Sequence, residues 1–480
     1  MFCLFYFYRI ILKTMSCKRF LSFVTVEPAL FLYMLAIFLE TSVLQDLIST
    51  KICMNQTNFS ETLCRGLENN TFYKNLTKNK IYEEERTTWI TYNNAILYGL
   101  NLVVASYMGS WSDKFSRKLV MLIPPINSIL ACINFIIISN YLYSRMELIF
   151  ISSILSGLSG GTVAFIGSCF GYLSNITIKE TRNKRIAFTE AMLIIGGTVG
   201  FYIGGGMLKH TNYVDIFILE LCIHCLSVIY IIFFIKELKH DDKIQSGNLC
   251  TKFFSVKHII EMFSMIFRQR EDNKRCYIVL SLIATILVYY GLTVQIALLY
   301  LFVTSEPLQW NQELYSYFSG ENFAISGTAL LIGLPAAYHF CKIKDTTAGI
   351  MGISSRMIGL IFLGLSYTKV MMFISPLFFI FSDYSVPALR SILSKLVNAN
   401  ETGKLFAFMA SLQNISFLTG TVFNAIYLHT PNYFCFELVA GFQAIALCIL
   451  IFLHRNLEQE NINYKEMNEE IESAHTEEIS

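Results

Sequence analysis

Charge is scarce in this chain. Lys, Arg, Asp and Glu make up 15% of its 480 residues, where a soluble domain carries about a quarter. That shortage excludes a long solvated surface over most of the length. Proline is sparse too, at 8 residues, so few apolar stretches meet the residue that breaks a helix. The apolar–polar alternation of a membrane barrel strand is absent. So are a nucleophile motif, a phosphate-cradling glycine loop and cysteines at metal-ligand spacing with histidines. Nothing therefore points to an enzyme, a cofactor or a resident metal. A net charge of +2 gives no reason to expect a nucleic-acid partner.

What the chain has instead is apolar sequence, 54% of it, delivered in runs of roughly 20 residues, each the length of a spanning helix. Six runs, about 27–48, 89–108, 119–141, 147–173, 186–208 and 214–235, precede a polar break at 236–275. Six more follow, about 276–302, 314–340, 348–366, 370–392, 405–428 and 434–454. The break holds nine Lys or Arg, whereas the short loops on the other side carry only Arg145, Lys209 and Lys369. That bias puts the break and both termini in the cytoplasm. The expected layout is a cytoplasmic start at 1–25 and helices over 26–235 and 276–454. A disordered acidic tail at 455–480 completes it.

The first large loop, 49–88, lies outside by the same count. Four sequons, at Asn55, Asn58, Asn69 and Asn75, mark it as glycosylated. Cys53 and Cys64 sit among them, where a disulfide can form. Most other cysteines, including Cys132, fall in apolar runs as packed thiols. Small residues collect at 157–161 in span four and at Gly196, Gly197, Gly200, Gly204, Gly205 and Gly206 in span five. They let helices approach closely.

The tip between spans two and three reads Gly109-Ser-Trp-Ser-Asp-Lys-Phe-Ser-Arg-Lys118. It resembles the signature loop of the major facilitator superfamily: Gly109, Asp113, Lys114, Arg117 and Lys118 fit, and Ser116 replaces the usual second glycine. Six spans, a basic linker and six spans match that family's layout. The resemblance implies an all-α membrane protein, with 12 transmembrane helices in two pseudo-symmetric six-helix bundles. Val26-Glu-Pro28, Gly109–Asp113, Glu190-Ala191, Leu389-Arg390 and Leu393–Val397 further resemble the proton-coupled folate transporter group within it. The resemblance covers about residues 26–455.

That group implies a secondary active transporter. It would move an organic anion (folate-like, muropeptide or steroid conjugate) with protons across a lipid bilayer by alternating access. The plasma membrane and the lysosomal membrane are its two expected homes. Tyr464-Lys-Glu-Met467 looks like a tyrosine-based sorting signal. The competing reading is a non-transporting receptor or scaffold on the same fold. By resemblance, Glu190 couples protons, Arg390 serves coupling and substrate binding, and Asp113 and Arg117, with Lys114 between, form the gate. Asp113 would meet the start of span eleven near Gly403 and Lys404, where a helix N-terminus attracts a carboxylate. Two family residues are replaced: Leu158 stands near the span-four aspartate and Tyr289 at the span-seven histidine.

The residues themselves add candidates, since an ionisable group inside a span usually faces a cavity or a partner. Glu190, Glu40 and Asp383 are candidate proton carriers. Arg390, with Glu321, Tyr289, Tyr290 and Gln295, is placed to meet an aromatic anion through its planar fork and neighbouring rings. Asp383 and Arg390 are seven residues apart, hence on one helical face, with Pro387 between them expected to distort the helix. Arg356 is expected on a peripheral helix in a packing or headgroup contact. Glu220 and His224, at i and i+4, are expected to form a local polar pair.

Overall fold

The computed structural model describes residues 25–57, 60–65, 80–114, 116–177, 179–237, 264, 266, 268–270, 273–397 and 401–479. The expected start at 1–24, most of the linker, and Asn58, Asn69 and Asn75 lie outside them. The longer elements among the described residues are helices. In order they are α1 (Glu27–Thr57), α2 (Glu61–Cys64), α3 (Lys80–Lys114), α4 (Arg117–Asn140), α5 (Ile149–Leu158), α6 (Gly161–Ile176), α7 (Lys179–Leu208) and α8 (Tyr213–Phe234). Then come α9 (Lys274–Thr304), α10 (Gln312–Thr328), α11 (Leu334–Phe340), α12 (Asp345–Gly364), α13 (Lys369–Ile374), α14 (Ser385–Leu396), α15 (Thr402–His429) and α16 (Phe434–Ile479). Among the described residues, ten segments are long and apolar enough to cross a membrane. Two further helices, α3 and α15, stand where the sequence places spans two and eleven.

The chain divides into two compact units, Met1–Ser255 with Tyr300–Gly327, and Val256–Leu299 with Thr328–Ser480. The seventh span thus ends, and the eighth begins, in the unit of the first six. Packing inside that unit explains the assignment. Phe323 meets Phe38 edge-on, with ring centroids 4.7 Å apart. Gln312 donates its Nε2 proton to the Ser42 carbonyl, and the Ser49 and Tyr300 hydroxyls are 3.2 Å apart.

In the first unit, α1 begins where Pro28 needs no amide proton, in the first helical turn. Glu27 is pinned there by Arg185, 3.3 Å away, and by the Thr25 amide at 2.5 Å. Packing of α7 on α1 follows from its glycine stripe: a Cβ at Gly196 would lie 2.8 Å from the Phe31 carbonyl oxygen, and one at Gly200 would lie 2.6 Å from that of Leu35. Span four is not continuous. Gly160 and Gly161 adopt φ of 74° and 54°, a region that side chains with a Cβ avoid, and they separate α5 from α6. Ser116, the departure from the family loop, is the N-cap of α4 and accepts from the Leu119 amide at 3.1 Å.

Three expectations need correction. Helix α1 runs on to Thr57 and α3 starts at Lys80, so both cut into the loop drawn at 49–88. Asn55 accordingly sits, exposed, near the end of a helix. The acidic tail continues α16 to Ile479; its Glu, Lys and Met content favours helix once a span has nucleated it. Span ten is broken before Pro387, not at it. Pro376 opens a 3₁₀ turn at Ser375–Leu377, and a second turn, Ser382–Tyr384, precedes α14. Pro387 falls in the first turn of α14, where its missing N–H leaves no bond unmade.

Candidate functional site

In the second unit the unexpected residue is Arg356. It lies on α12 with its side chain 1% exposed, so the peripheral headgroup contact is wrong. Its Nη2 sits 3.0 Å from Asp383 Oδ1, and its Nη1 donates to Gln295 Oε1 at 3.2 Å. Gly291 makes the room: a Cβ there would lie 2.7 Å from Arg356 Cδ and 2.7 Å from Gln443 Nε2. Gln443 in turn donates to the Leu287 carbonyl at 2.6 Å. Three helices, α9, α12 and α16, thus close around one guanidinium. A buried charge needs this much compensation.

This arrangement reassigns two sequence candidates. Asp383 was expected on one helical face with Arg390, but it lies in the 3₁₀ turn ahead of α14 and serves Arg356. Gln295 was expected to meet solute, and its carbonyl is occupied by Arg356. Ser355 holds the broken span beside them, donating to the Phe378 carbonyl at 2.6 Å and accepting from the Phe381 amide at 3.2 Å.

Arg390 is different. It is half-buried on α14, and among the described residues its guanidinium has no hydrogen-bond or ion-pair partner. Tyr290 packs against Phe423 and Phe442, with centroids 6.1 and 5.9 Å away, and its hydroxyl accepts from Thr419 at 3.0 Å. Tyr289 is buried, and its hydroxyl has no partner among the described residues.

In the first unit, Glu190 on α7 and Glu321 on α10 are both half-buried. Arg117 at the head of α4 lies against Gly171 of α6, and Lys118 Nζ donates to the Ile232 carbonyl at 2.8 Å. The side chains of Asp113 and Lys114, and of Gly403 and Lys404, lie outside the described residues. Glu40 on α1 lies beside Glu220 on α8, close enough for the two carboxyls to interact. Glu220 belongs to more than a local pair. Cys132 on α4 donates to its Oε1 at 3.1 Å, and His224 Nε2 lies 3.6 Å from the same oxygen.

One end of the unit is tied by the disulfide the sequence anticipates and by side chains it does not single out. Cys53 and Cys64 form a disulfide that fastens α2 to the end of α1. Tyr213 donates to Asp46 Oδ2 at 2.7 Å, and Arg65 lies over the Tyr213 ring, 4.6 Å from its centroid. Burial works against the Arg65 charge, but Tyr213, Asp46 and Glu61 outweigh it and push its pKa up. Buried Lys51 donates to the carbonyls of Leu142 at 2.7 Å and Ser144 at 3.1 Å.

Lipid-length helices in two units, with charged groups held inside each, define a multi-pass membrane protein, and the family it matches is one of transporters. The chain belongs to the Major Facilitator Superfamily, whose model matches residues 85–456. It is similar to the lysosomal proton-coupled steroid conjugate and bile acid symporter SLC46A3 of Gallus gallus, with 28% identity across 89% of this chain and 93% of that protein. It is also similar to the proton-coupled folate transporter of Rattus norvegicus, 24% identical over 90% of this chain and 92% of that one. Among solved structures, the human organic anion transporter MFSD10 (TETRAN) shares the fold, with a TM-score of 0.64 at 14% identity. That match covers 90% of this chain and 98% of that chain. The inward-open xylose transporter XylE from E. coli matches at 0.59 over 90% and 94%.

Proposed function

We propose that this transporter is a proton symporter for an organic anion, of the steroid-conjugate, bile-acid or folate type that its relatives carry. The carrying observation is Arg390. A half-buried guanidinium without a partner among the described residues is costly to keep in a span, and a carboxylate or sulfate on the solute would supply the missing acceptor pair. Tyr290, half-buried on the same unit, offers a ring to an aromatic or polycyclic body, whereas Tyr289 is too buried to meet one. Glu190 is the proton carrier in this reading. Asp383 is removed from that role, because it neutralises Arg356. Proton and solute together favour the inward-facing state, and Asp113, Lys114 and Arg117 form the inner latch. No bond is made or broken in the solute, so the protein is not an enzyme. Its homes are the lysosomal or the plasma membrane.

The test is uptake into proteoliposomes of folates, muropeptides and steroid sulfates under an imposed pH gradient. Accumulation of at least one anion at acidic outside pH is expected. Arg390→Lys should weaken it by raising KM, since the charge stays and the planar fork is lost, and Arg390→Ala should abolish it. Absence of gradient-driven flux for every anion would favour a receptor or scaffold.

A further inference from the structure

Four side chains that the transport reading does not use meet inside the first unit. Glu220 and His224 share one face of α8, Cys132 comes from α4, and Glu40 comes from α1. The donor atoms of Cys132, Glu220 and His224 all lie within 4.8 Å of one another. The sulfur-to-oxygen edge is 3.1 Å and the oxygen-to-nitrogen edge 3.6 Å. A tetrahedral ion with bonds of about 2.0–2.3 Å sets its ligands roughly this far apart.

The cluster is poorly satisfied without such an ion. His224 and Glu220 are completely buried. Among the described residues, neither ring nitrogen of His224 has a hydrogen-bond partner, and Glu220 Oε2 has none either. Each orphaned buried polar atom costs about 1–3 kcal/mol. The Tyr33 ring holds the imidazole edge-on, 5.6 Å away, so His224 cannot turn to seek water.

We propose that Cys132, Glu220 and His224 bind one divalent first-row metal ion, and that Glu40, beside them but outside the 4.8 Å group, turns in as the fourth donor. The donor set selects zinc: one soft sulfur, one imidazole nitrogen and carboxylate oxygen are its usual ligands, and four protein donors make a closed, structural site. The charges also balance. Binding releases the Cys132 thiol proton, and the resulting thiolate with the Glu220 carboxylate neutralises the ion. Glu40 coordinates through its carbonyl oxygen as the neutral acid and keeps its proton, so the site stays uncharged. Because Glu40 is only half-buried, it marks the side from which the ion enters. The bound ion would fasten α8 to α1 and to α4, both of which α8 packs against in this unit.

The experiment uses the purified full-length protein in detergent, stripped with chelator and titrated with Co²⁺. One equivalent should produce the visible bands of a tetrahedral ion and a near-ultraviolet thiolate charge-transfer band, and Zn²⁺ should displace both. Cys132→Ser should erase the charge-transfer band. His224→Ala or Glu220→Gln should weaken binding by more than the about 10–100-fold typical of a lost outer-shell contact. If the variants do not fold, X-ray absorption of the zinc-loaded wild type still decides. One sulfur at about 2.3 Å beside nitrogen and oxygen supports the site. A sulfur-free or several-sulfur shell overturns it, as do an absent cobalt spectrum or one unchanged in Cys132→Ser. Transport plays no part in these readouts, so they stand apart from the anion assignment.

Discussion

The Arg356–Asp383 pair predicts an asymmetry. The two partners differ in burial: the Arg356 side chain is 1% exposed and that of Asp383 is 32% exposed. Asp383→Asn leaves a guanidinium stranded where water cannot reach it. Such a loss costs about 3–5 kcal/mol. Arg356→Met fills similar space and leaves a carboxylate that water can still solvate, so its cost should be nearer about 1 kcal/mol. The double variant has no stranded charge and should recover most of the Asp383→Asn loss. At roughly 2–4 °C per kcal/mol for a domain of about 150–250 residues, the Asp383→Asn midpoint should fall by on the order of 10 °C. Thermal unfolding of purified protein in detergent, followed by intrinsic fluorescence, measures all three. Arg356→Met falling as far as Asp383→Asn, or a double variant no better than Asp383→Asn, would refute the reasoning.

Three other expectations concern packing, the outer tether and coupling. Gly200→Ala drives a methyl to 2.6 Å from the Leu35 carbonyl oxygen, whereas at Gly206 the nearest atom is 3.7 Å away. The first should cost about 1–3 kcal/mol and the second should leave the unfolding midpoint unchanged. Reducing the Cys53–Cys64 bond, which closes a separation of 11 residues, should remove about 2.5–3 kcal/mol of local chain restraint. Limited proteolysis near residue 60 should then become faster, and Cys64→Ser should match the reduced wild type. Glu190→Gln should keep solute exchange while losing its pH dependence; an unaltered pH profile would end the role given to Glu190.

Much of this architecture was legible because lipid sets a length scale. Twenty-residue apolar runs and basic loops are local signals, and they locate the spans without any knowledge of contacts. The Val26-Glu27-Pro28 and Ser116 positions were equally local, and each turned out to start a helix. The buried centres were not local. Cys132 and Glu220 are 88 residues apart, and Arg356 and Gln295 are 61 apart. No spacing rule reaches that far. Gly291, which lets Arg356 in, looked like any glycine in a span. Pro387 misled because a proline near the start of a helix and one in its interior read alike until the start is known.

The Gly160–Gly161 joint has a consequence for how the protein is made. Its two arms have 10 and 16 residues, which at about 1.5 Å per residue reach roughly 15 and 24 Å. A bilayer interior is about 30 Å thick. Neither arm could hold itself across that distance, so the insertion machinery of the cell must accept both, joint included, as a single passenger.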